Sequence, residues 1–317
     1  MTADGGRGIG AVDIGGTKIA VGIVNLDGKV LAKEECATEQ ERGFADGVDR
    51  VARMLLECAQ RVNVTIGGIG IGCTGPVYPG TGEIGDVEFL KSWKSANLVE
   101  ALEARFGVRA ALENDADAAT LGEAFWGAGR GKAQVLFVTV GTGIGVGIVL
   151  NGRLYRGING AHPEIGHQVI DAGGPQCYCG ARGCWEVLAA GPAMTAWMTE
   201  NGNPGLTAKQ ICAMSADGDV LARKAVEREA HYLGVGLANL VNIFCPEVIV
   251  LGGSVMGSAS QFLKGIGAEI RHNCTQVPYE RTEIRLASWG SEAPIIGAAC
   301  AWRHRFMTKE NLSAFEI

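Results

Sequence analysis

The sequence has no excess of positive charge and no long apolar segment. Lysine and arginine total 28 against 34 aspartates and glutamates, which gives a formal net charge of −6. A chain of this charge lacks the electrostatic surface that nucleic acids and anionic membranes attract. Its most apolar stretch, residues 135–150, contains four glycines and is too short to span a bilayer. We therefore expect neither a nucleic-acid partner nor a membrane partner.

Other patterns are missing as well. The N-terminus does not resemble a signal peptide, and seven of the ten cysteines are scattered singly. Unpaired thiols suit a reducing compartment, so we expect a cytoplasmic protein. The phosphate-binding motif G-x-x-x-x-G-K-[ST] is absent. Residues 70–75 match G-x-G-x-x-G, but Pro76 and Pro79 follow where a helix would begin, and we interpret this stretch as a loop on the substrate side.

The 317 residues are enough for two domains with separate cores. Apolar runs between turn residues predict strands, and apolar residues at helical spacing predict helices. Twice, a β-hairpin with a Gly/Thr turn is followed by helices and single strands, which predicts an α/β protein with two similar halves. The predicted strands are 9–14, 19–24, 30–36, 66–73, 108–112, 135–140, 145–150, 248–251 and 283–287, and the main predicted helices are 44–62, 98–106, 115–126, 220–244, 261–271 and 293–306.

Three glycine-containing turns have the chemistry of phosphate sites. In residues 13–18 (Asp-Ile-Gly-Gly-Thr-Lys), the two glycines let backbone N–H groups approach a ligand, while Thr17 adds a hydroxyl and Lys18 a positive charge. Asp13 is a candidate magnesium ligand, because hard cations prefer oxygen. The turn 141–143 (Gly-Thr-Gly) repeats the pattern, and the pair 252–253 (Gly-Gly) follows a strand. One glycine pair usually means a tight turn, but three at corresponding places favour phosphate binding.

One imidazole and three thiols fall within eighteen residues, namely His167, Cys177, Cys179 and Cys184. This is the ligand set of a tetrahedral structural zinc. Buried free thiols and a disulfide are the alternatives. The segment is rich in glycine and reads as a surface loop, and disulfides suit secreted proteins, so we favour zinc. Glu164 and Glu186 flank these ligands, which suggests that the metal shapes a ligand-binding loop.

Asn114 and Asp115 lie where a predicted strand meets a predicted helix. In the first turn of a helix the dipole favours an ionised carboxylate, so Asp115 is a candidate general base. The same position suits an N-cap, in which Asn or Asp accepts hydrogen bonds from free backbone N–H groups. Spacing alone supports the two roles about equally. If the ligand is a polyol, both side chains are suitable partners for its hydroxyl groups.

Taken together, these motifs resemble the ROK family of repressors, open reading frames and kinases, and within it the bacterial glucokinases. The resemblance implies an α/β actin-like, hexokinase-like ATPase fold with two lobes and a central cleft. Residues 1–115 plus 295–317 would form the small lobe, and residues 116–294 the large lobe with the zinc-binding loop. The matching segments run in family order and cover nearly the whole chain: 13–18, 75–77, 113–119, 141–145, 151–160, 164–167, 177–186 and 252–253.

The same resemblance implies an ATP-dependent kinase that phosphorylates the 6-hydroxyl of a hexose, with glucose as the expected substrate. Asp115 would be the general base that deprotonates this hydroxyl, and His167 would bind zinc as well as sugar. The family also implies Mg²⁺ with the ATP, and a homodimer or homotetramer. The expected sugar ligands are Gly75, Asn114, Asp115, Glu164, His167 and Glu186. The expected ATP contacts are Gly15, Gly16, Thr17, Lys18, Thr142, Gly143, Gly252 and Gly253.

Two positions depart from the family pattern near the expected sugar site. His162 and Pro163 stand where small residues are usual, and Asp117 stands where asparagine is usual. For His162 we expect packing or solvent exposure. N-acetylmannosamine, N-acetylglucosamine, mannose and fructose are alternative substrates, and a non-catalytic sugar sensor is an alternative function. The retained Asp115 disfavours the sensor, and with twelve residues before Asp13 we do not expect the helix-turn-helix of a repressor.

Overall fold

A computed structural model describes residues 6–307, which form strands and helices in the alternation expected of an α/β protein. The strands are β1 (Arg7–Ile14), β2 (Lys18–Val24), β3 (Val30–Ala37), β4 (Thr65–Cys73), β5 (Val77–Tyr78), β6 (Glu83–Ile84), β7 (Ala110–Asn114), β8 (Gln134–Val140), β9 (Ile144–Leu150), β10 (Arg153–Leu154), β11 (Val248–Gly252) and β12 (Glu283–Leu286). The helices are α1 (Phe44–Arg61), α2 (Leu98–Phe106), α3 (Asp115–Phe125), α4 (Trp185–Ala189), α5 (Gly191–Glu200), α6 (Ala208–Ala216), α7 (Val220–Phe244), α8 (Leu263–Asn273) and α9 (Ala293–Phe306).

The chain divides into two compact units. Unit 1 comprises the described residues of Met1–Gly131, Leu154–His162 and Ser288–Ile317, and unit 2 comprises Lys132–Arg153 and Pro163–Ala287. The division falls after Gly131, whereas the sequence analysis placed a lobe boundary after residue 115, because α3 packs on α9 within unit 1. The predicted lobe limits stay a prediction, and residues 308–317 of the predicted small lobe lie outside the described residues.

The sheet of unit 1 has the order β3-β2-β1-β4-β7. Antiparallel pairing joins β1 to β2 and β2 to β3, whereas β1, β4 and β7 run parallel. Ile14 lies opposite Cys73, and Cys73 lies opposite Asn114. The carboxyl ends of these three strands therefore meet at one edge of the sheet, which is where ligands bind in open α/β sheets.

The sheet of unit 2 repeats this arrangement with the order β10-β9-β8-β11-β12. A hairpin joins β8 to β9, and β8, β11 and β12 run parallel. Thr139 lies opposite Gly252, so the turns after β8 and β11 also meet at one edge. The prediction of an α/β protein with two similar halves is confirmed.

Local signals account for the bounds of several helices. Helix α2 begins after Asn97, whose side chain accepts a hydrogen bond from Glu100 N, and it ends at Gly107 with φ +66°. These are the N-cap and the glycine stop that the sequence predicts. Helices α7 and α9 have the predicted bounds, whereas β7 begins two residues later than predicted. None of the described helices combines the length and the apolar composition needed to cross a membrane.

Glycines in β4 serve packing. A Cβ on Gly70 would overlap the carbonyl oxygen of Ala298, and one on Gly68 would overlap the Trp302 ring. Helix α9 therefore lies directly on the strand backbone. The interpretation of residues 70–75 as a substrate-side loop is wrong for 70–73, which belong to β4, because Gly70 gives helix α9 the room to pack on this strand.

The core of unit 2 contains one buried carboxyl group that no hydrogen-bond donor satisfies among the described residues. Glu229 on α7 is 0% exposed, and neither of its carboxyl oxygens has a hydrogen-bond partner among the described residues. Burial raises the pKa of Glu229 to about 8, and Arg228 opposes this shift only in part. An uncompensated charge in an apolar interior is costly, so the side chain stays protonated in the folded state at neutral pH.

This burial predicts a pH-dependent stability. In the unfolded chain Glu229 ionises above its ordinary pKa of 4.5, while the folded chain retains the proton up to pH about 8. The free energy of unfolding should therefore fall by up to ~1.4 kcal/mol per pH unit within this window and then level off. Glu229→Gln should unfold at higher urea than the native chain at pH 8.5, with a much smaller difference at pH 5. Glu227→Gln, at an exposed position of the same helix, is the control. An equal effect of Glu229→Gln at both pH values would contradict this account.

Candidate functional site

Asp115 is the first residue of α3 and directly follows β7. Asn114 is the N-cap, since its Oδ1 accepts a hydrogen bond of 2.9 Å from Ala116 N. Asp115 Oδ1 also accepts from Ala116 N at 2.8 Å, and the residue remains exposed to solvent. Because Asn114 fills the capping role, the Asp115 carboxylate is available for other chemistry.

Asp115 has a carboxylate neighbour, Asp13 near the end of β1. Burial and the negative charge of Asp115 raise the pKa of Asp13 to about 7, with Lys18 and Lys33 opposing. Asp115 reaches solvent, but the protein packed around its carboxylate still raises the pKa of Asp115 by desolvation, while the Ala116 N–H and His162 oppose that shift. A carboxylate with a raised pKa is a better proton acceptor near neutral pH. Two oxygen-rich groups in one place also suit a hard divalent cation.

Gly75 lies beside Asn114 at the same sheet edge. A Cβ on Gly75 would stand 2.8 Å from Asn114 Nδ2, so only glycine leaves this amide undisturbed. Asn114 Oδ1 is used by the helix cap, which leaves Nδ2 as a donor for a ligand. The edge thus presents an amide donor and a carboxylate acceptor side by side.

The turn after β1 is closed by hydrogen bonds. Gly15 N donates to Lys18 O at 2.9 Å, and Thr38 Oγ1 donates to Gly15 O at 2.7 Å. Gly16 lies under Phe89, since a Cβ there would stand 2.5 Å from Phe89 Cβ. Packing therefore explains Gly16 independently of any ligand. Lys18 is exposed and pairs with Glu35 at 3.1 Å.

In unit 2, the turn after β8 is tied to the predicted sugar ligand Glu186. Ile144 N donates to Glu186 Oε2 at 2.9 Å, and a Cβ on Gly143 would overlap this carboxylate. Gly253 has φ +90° and lies against the backbone of Val140. The turns at 141–143 and 252–253 are therefore in contact, as the sheet register requires.

A cavity of about 740 Å³ opens beside these turns within unit 2. Residues of the turns and several apolar side chains line this cavity. Thr142, Ser254 and Ser258 offer hydroxyl groups to it. Pro192 and Val255 provide apolar surface. A largely apolar cavity with a few convergent polar groups is the usual form of a small-molecule site.

The predicted metal ligands come together. The ligand atoms of His167, Cys177, Cys179 and Cys184 all lie within 4.8 Å of one another. Cys177 Sγ is 3.6 Å from His167 Nδ1, and Cys179 Sγ is 3.6 Å from Cys184 Sγ. Two thiolates bound to one tetrahedral zinc would stand about 3.8 Å apart, whereas disulfide sulfurs would be about 2.05 Å apart. The residues therefore fit a four-coordinate metal, and all ten cysteines are free.

The backbone holds this cluster in shape. Cys177 N donates to Ala181 O at 2.8 Å, and Trp185 N donates to Gln168 O at 2.8 Å. Gly183 has φ +68°, and a Cβ there would overlap Asp171 O. The sequence predicts a turn-rich loop here, and the overlap with Asp171 O shows why the loop needs this glycine.

Tyr178 is a site residue that the sequence analysis missed. Its side chain is 83% exposed, and its hydroxyl lies 3.1 Å from His167 Nε2. Partial desolvation and the Glu186 carboxylate raise the pKa of Tyr178 to about 12, and the charge of Glu164 acts in the same direction. This phenol therefore contacts His167 and lies within electrostatic reach of both predicted glutamate ligands. Its position between two metal-ligand cysteines is the only signal that could have identified it.

The comparisons with known proteins agree with this architecture. A protein-family model described as "ROK family" matches residues 9–305 of this chain. Glucokinase from Thermotoga maritima is 34% identical over 309 residues, which cover 93% of this chain and 96% of that protein. The ROK hexokinase structure from Thermus thermophilus has a TM-score of 0.82 and 33% identity over 94% of this chain and 99% of that chain. A ROK family glucokinase from Streptomyces griseus, solved with glucose and AMPPNP, has a TM-score of 0.74 and 29% identity over 93% and 99% of the two chains. The predicted hexokinase-like, actin-like ATPase fold is confirmed.

Proposed function

The chain belongs to the ROK family, and on that premise we propose that it is an ATP-dependent kinase acting on the 6-hydroxyl of a hexose, with glucose as its sugar. The observation that carries this proposal is the position of Asp115. Asp115 is the first residue of α3. It lies at the same sheet edge as the turn that follows β1, which has the composition of a phosphate-binding turn. A carboxylate base next to a phosphate turn is what phosphoryl transfer to a hydroxyl requires.

In the proposed reaction, the 6-hydroxyl proton passes to the Asp115 carboxylate as the hydroxyl oxygen attacks the terminal phosphorus of ATP. A new phosphorus–oxygen bond forms, the bond between that phosphorus and ADP breaks, and ADP leaves. The protein contributes mainly position and charge stabilisation, because this transition state needs little covalent assistance. General-base catalysis by Asp115 should contribute about 10²–10⁴ in rate.

The family resemblance implies sugar ligands in each unit. In unit 1, the Asn114 amide and the backbone near Gly75 would bind sugar hydroxyl groups beside the base. In unit 2, Glu164, His167 and Glu186 would bind hydroxyl groups, and the Tyr178 hydroxyl lies 3.1 Å from His167 Nε2. Several charged or strongly polar partners would fix the orientation of a polyol.

The cavity and the two glycine turns of unit 2 would hold ATP. The cavity of about 740 Å³ is suitable for the adenosine moiety, since it is largely apolar with a few hydroxyl groups. The turns at 141–143 and 252–253 would present N–H groups to phosphates, and the turn at 15–18 of unit 1 has the same phosphate-binding chemistry. Asp13 would hold Mg²⁺, which neutralises phosphate charge when it is bound.

We further propose zinc as the metal of the His167 and cysteine cluster. With Nδ1 directed at the metal, His167 would carry its hydrogen on Nε2, as metal-bound imidazoles commonly use the second nitrogen for orientation. The Tyr178 hydroxyl lies 3.1 Å from this Nε2, and a sugar hydroxyl would take its place there. The metal would thus hold one sugar ligand in place, and Glu186 follows Cys184 by two residues. An N-acetylhexosamine remains the alternative substrate, because His162 and Asp117 depart from the family pattern.

Replacement of the base tests the proposal. Asp115→Asn should lower kcat for ATP-dependent glucose phosphorylation by about 10²–10⁴ without changing the melting temperature, because the side chain is exposed and Asn114 caps the helix. The measurement is coupled ADP release, with glucose, mannose, fructose, N-acetylglucosamine and N-acetylmannosamine as substrates. Glucose should give the highest kcat/KM.

Asp27→Asn, at an exposed hairpin turn, is the matched control and should retain full activity. A kcat of Asp115→Asn within twofold of the native chain would refute the role of the base. If an N-acetylhexosamine gave the highest kcat/KM, that sugar would replace glucose as the proposed substrate. Sugar binding by calorimetry without ADP release from any sugar would identify a sensor and overturn the kinase.

Two glycine variants test the metal loop. Gly183 and Gly180 both have positive φ, +68° and +96°, but a Cβ overlaps Asp171 O only at Gly183. The native chain should purify with about one zinc per chain, as four ligands for one tetrahedral ion imply. Gly183→Ala should lose zinc and unfold at lower temperature, because the metal stabilises the fold that forms its site, whereas Gly180→Ala should keep its zinc. Equal metal content in both variants, or no zinc in the native chain, would contradict the proposal.

A further inference from the structure

Residues 154–162 belong to unit 1, although the residues before and after them in the chain belong to unit 2. This docked segment, Leu154–His162, therefore needs specific contacts that attach it to unit 1. Hydrophobic burial does not supply them, since Ile158 at its centre is 84% exposed. The centre is closed by its own backbone, with Gly157 N donating to Ala161 O at 2.8 Å. The attachment must come from the two ends.

Both ends are bound to one carboxylate, that of Asp117 on α3. Arg156 Nη1 donates to Asp117 Oδ2 at 2.9 Å, and His162 Nδ1 lies 2.9 Å from Asp117 Oδ1. A carboxylate only accepts hydrogen bonds, so Nδ1 of His162 carries the hydrogen and donates it. Arg156 also forms an ion pair with Glu113 on β7. His162 is packed, which is one of the two outcomes expected for it, and the structure adds that it is one of two donors to this acid.

These groups are withdrawn from water. Asp117 is 0% exposed, and the side chains of Arg156 and His162 are 20% and 14% exposed. A buried carboxylate is tolerated only when charged or polar partners satisfy it. Glu113 and Asp117 are two acids that share one arginine, so the second oxygen of Asp117 depends on His162. Removal of His162 would leave a buried anionic oxygen without its donor.

Asp117 and His162 thus meet in a single hydrogen bond. An asparagine at 117 would be neutral and would impose no comparable demand for a second donor. A small residue at 162 would supply no donor. The aspartate and the histidine are therefore a matched pair, in which the donor compensates for the buried charge.

We propose that Asp117 and His162 form a positioning pair for the sugar site, and this inference rests on the proposed kinase function. Asp117 lies two residues after the base Asp115 in the first turn of α3, and His162 lies two residues before the sugar ligand Glu164. The pair fixes the docked segment on the helix that carries the base. The pair thereby fixes the point from which the chain continues to Glu164, without contacting the reacting atoms.

A double-mutant cycle tests the pair, using Asp117→Asn, His162→Ala and the double variant. His162→Ala should raise KM for the sugar by about tenfold or more, because a buried anionic oxygen loses its donor, while KM for ATP stays within about twofold. The double variant should recover to within about threefold of the native chain, since a neutral amide at position 117 no longer needs a second donor. His162→Asn, whose side-chain amide can donate from a similar position, should also recover sugar affinity.

Hydrogen–deuterium exchange of the peptide spanning 154–162 provides a readout that does not require activity. Exchange there should accelerate in His162→Ala and return toward the native rate in the double variant and in His162→Asn. His231→Ala is the matched control, because His231 Nδ1 also pairs with a carboxylate, Glu269 Oε1 at 2.8 Å, but on an exposed surface. It should change neither sugar KM nor exchange at 154–162.

Independent, multiplicative effects of the two single variants on sugar KM would overturn the positioning pair. Unchanged exchange at 154–162 in His162→Ala would overturn the attachment itself. A native chain that phosphorylates no sugar would instead refute the proposed function, and the exchange data would still decide whether the pair attaches the segment.

Discussion

The parallel pairing of β1, β4 and β7 is the constraint on which the candidate site depends. It places Ile14, Cys73 and Asn114 in one row, so the residues that follow each strand emerge at the same edge. Asp115 acquires its surroundings from this register, since Asp13 and Gly75 belong to the neighbouring strand ends. A slip of one residue in β7 would turn its side chains to the opposite face and separate these groups. Unit 2 uses the same geometry to bring its two glycine turns together.

The carboxylates near this edge differ in how deeply they are buried, and their proposed roles differ accordingly. Asp117 and Glu113 are buried and matched to Arg156 and His162, so they serve attachment. Asp115 remains accessible and carries a raised pKa, which suits proton transfer. In unit 2 the cysteine cluster restrains His167, and a backbone N–H restrains Glu186. The proposed base and the buried acids that hold the docked segment thus differ in their access to solvent.

Features set by local chemistry could be predicted from the sequence. The bounds of α7 and α9, the cap at Asn97 and the ligand cluster of the cysteine loop all follow from residues close together in the chain. Features set by distant neighbours could not. Gly70 reflects Ala298, and the sequence offers no sign of that contact. Arg156 was missed for the same reason, because a lone arginine in a loop has no pattern, and its two acids lie far away in the chain.

A kinase of this kind directs one hydroxyl of a hexose to the terminal phosphoryl group of ATP. NMR of the product formed from uniformly ¹³C-labelled glucose, ATP and Mg²⁺ identifies that hydroxyl through phosphorus–carbon coupling. We expect a single product whose phosphorus couples to the carbon that bore the 6-hydroxyl. Phosphate on another carbon, or inorganic phosphate with unmodified glucose, would contradict this expectation.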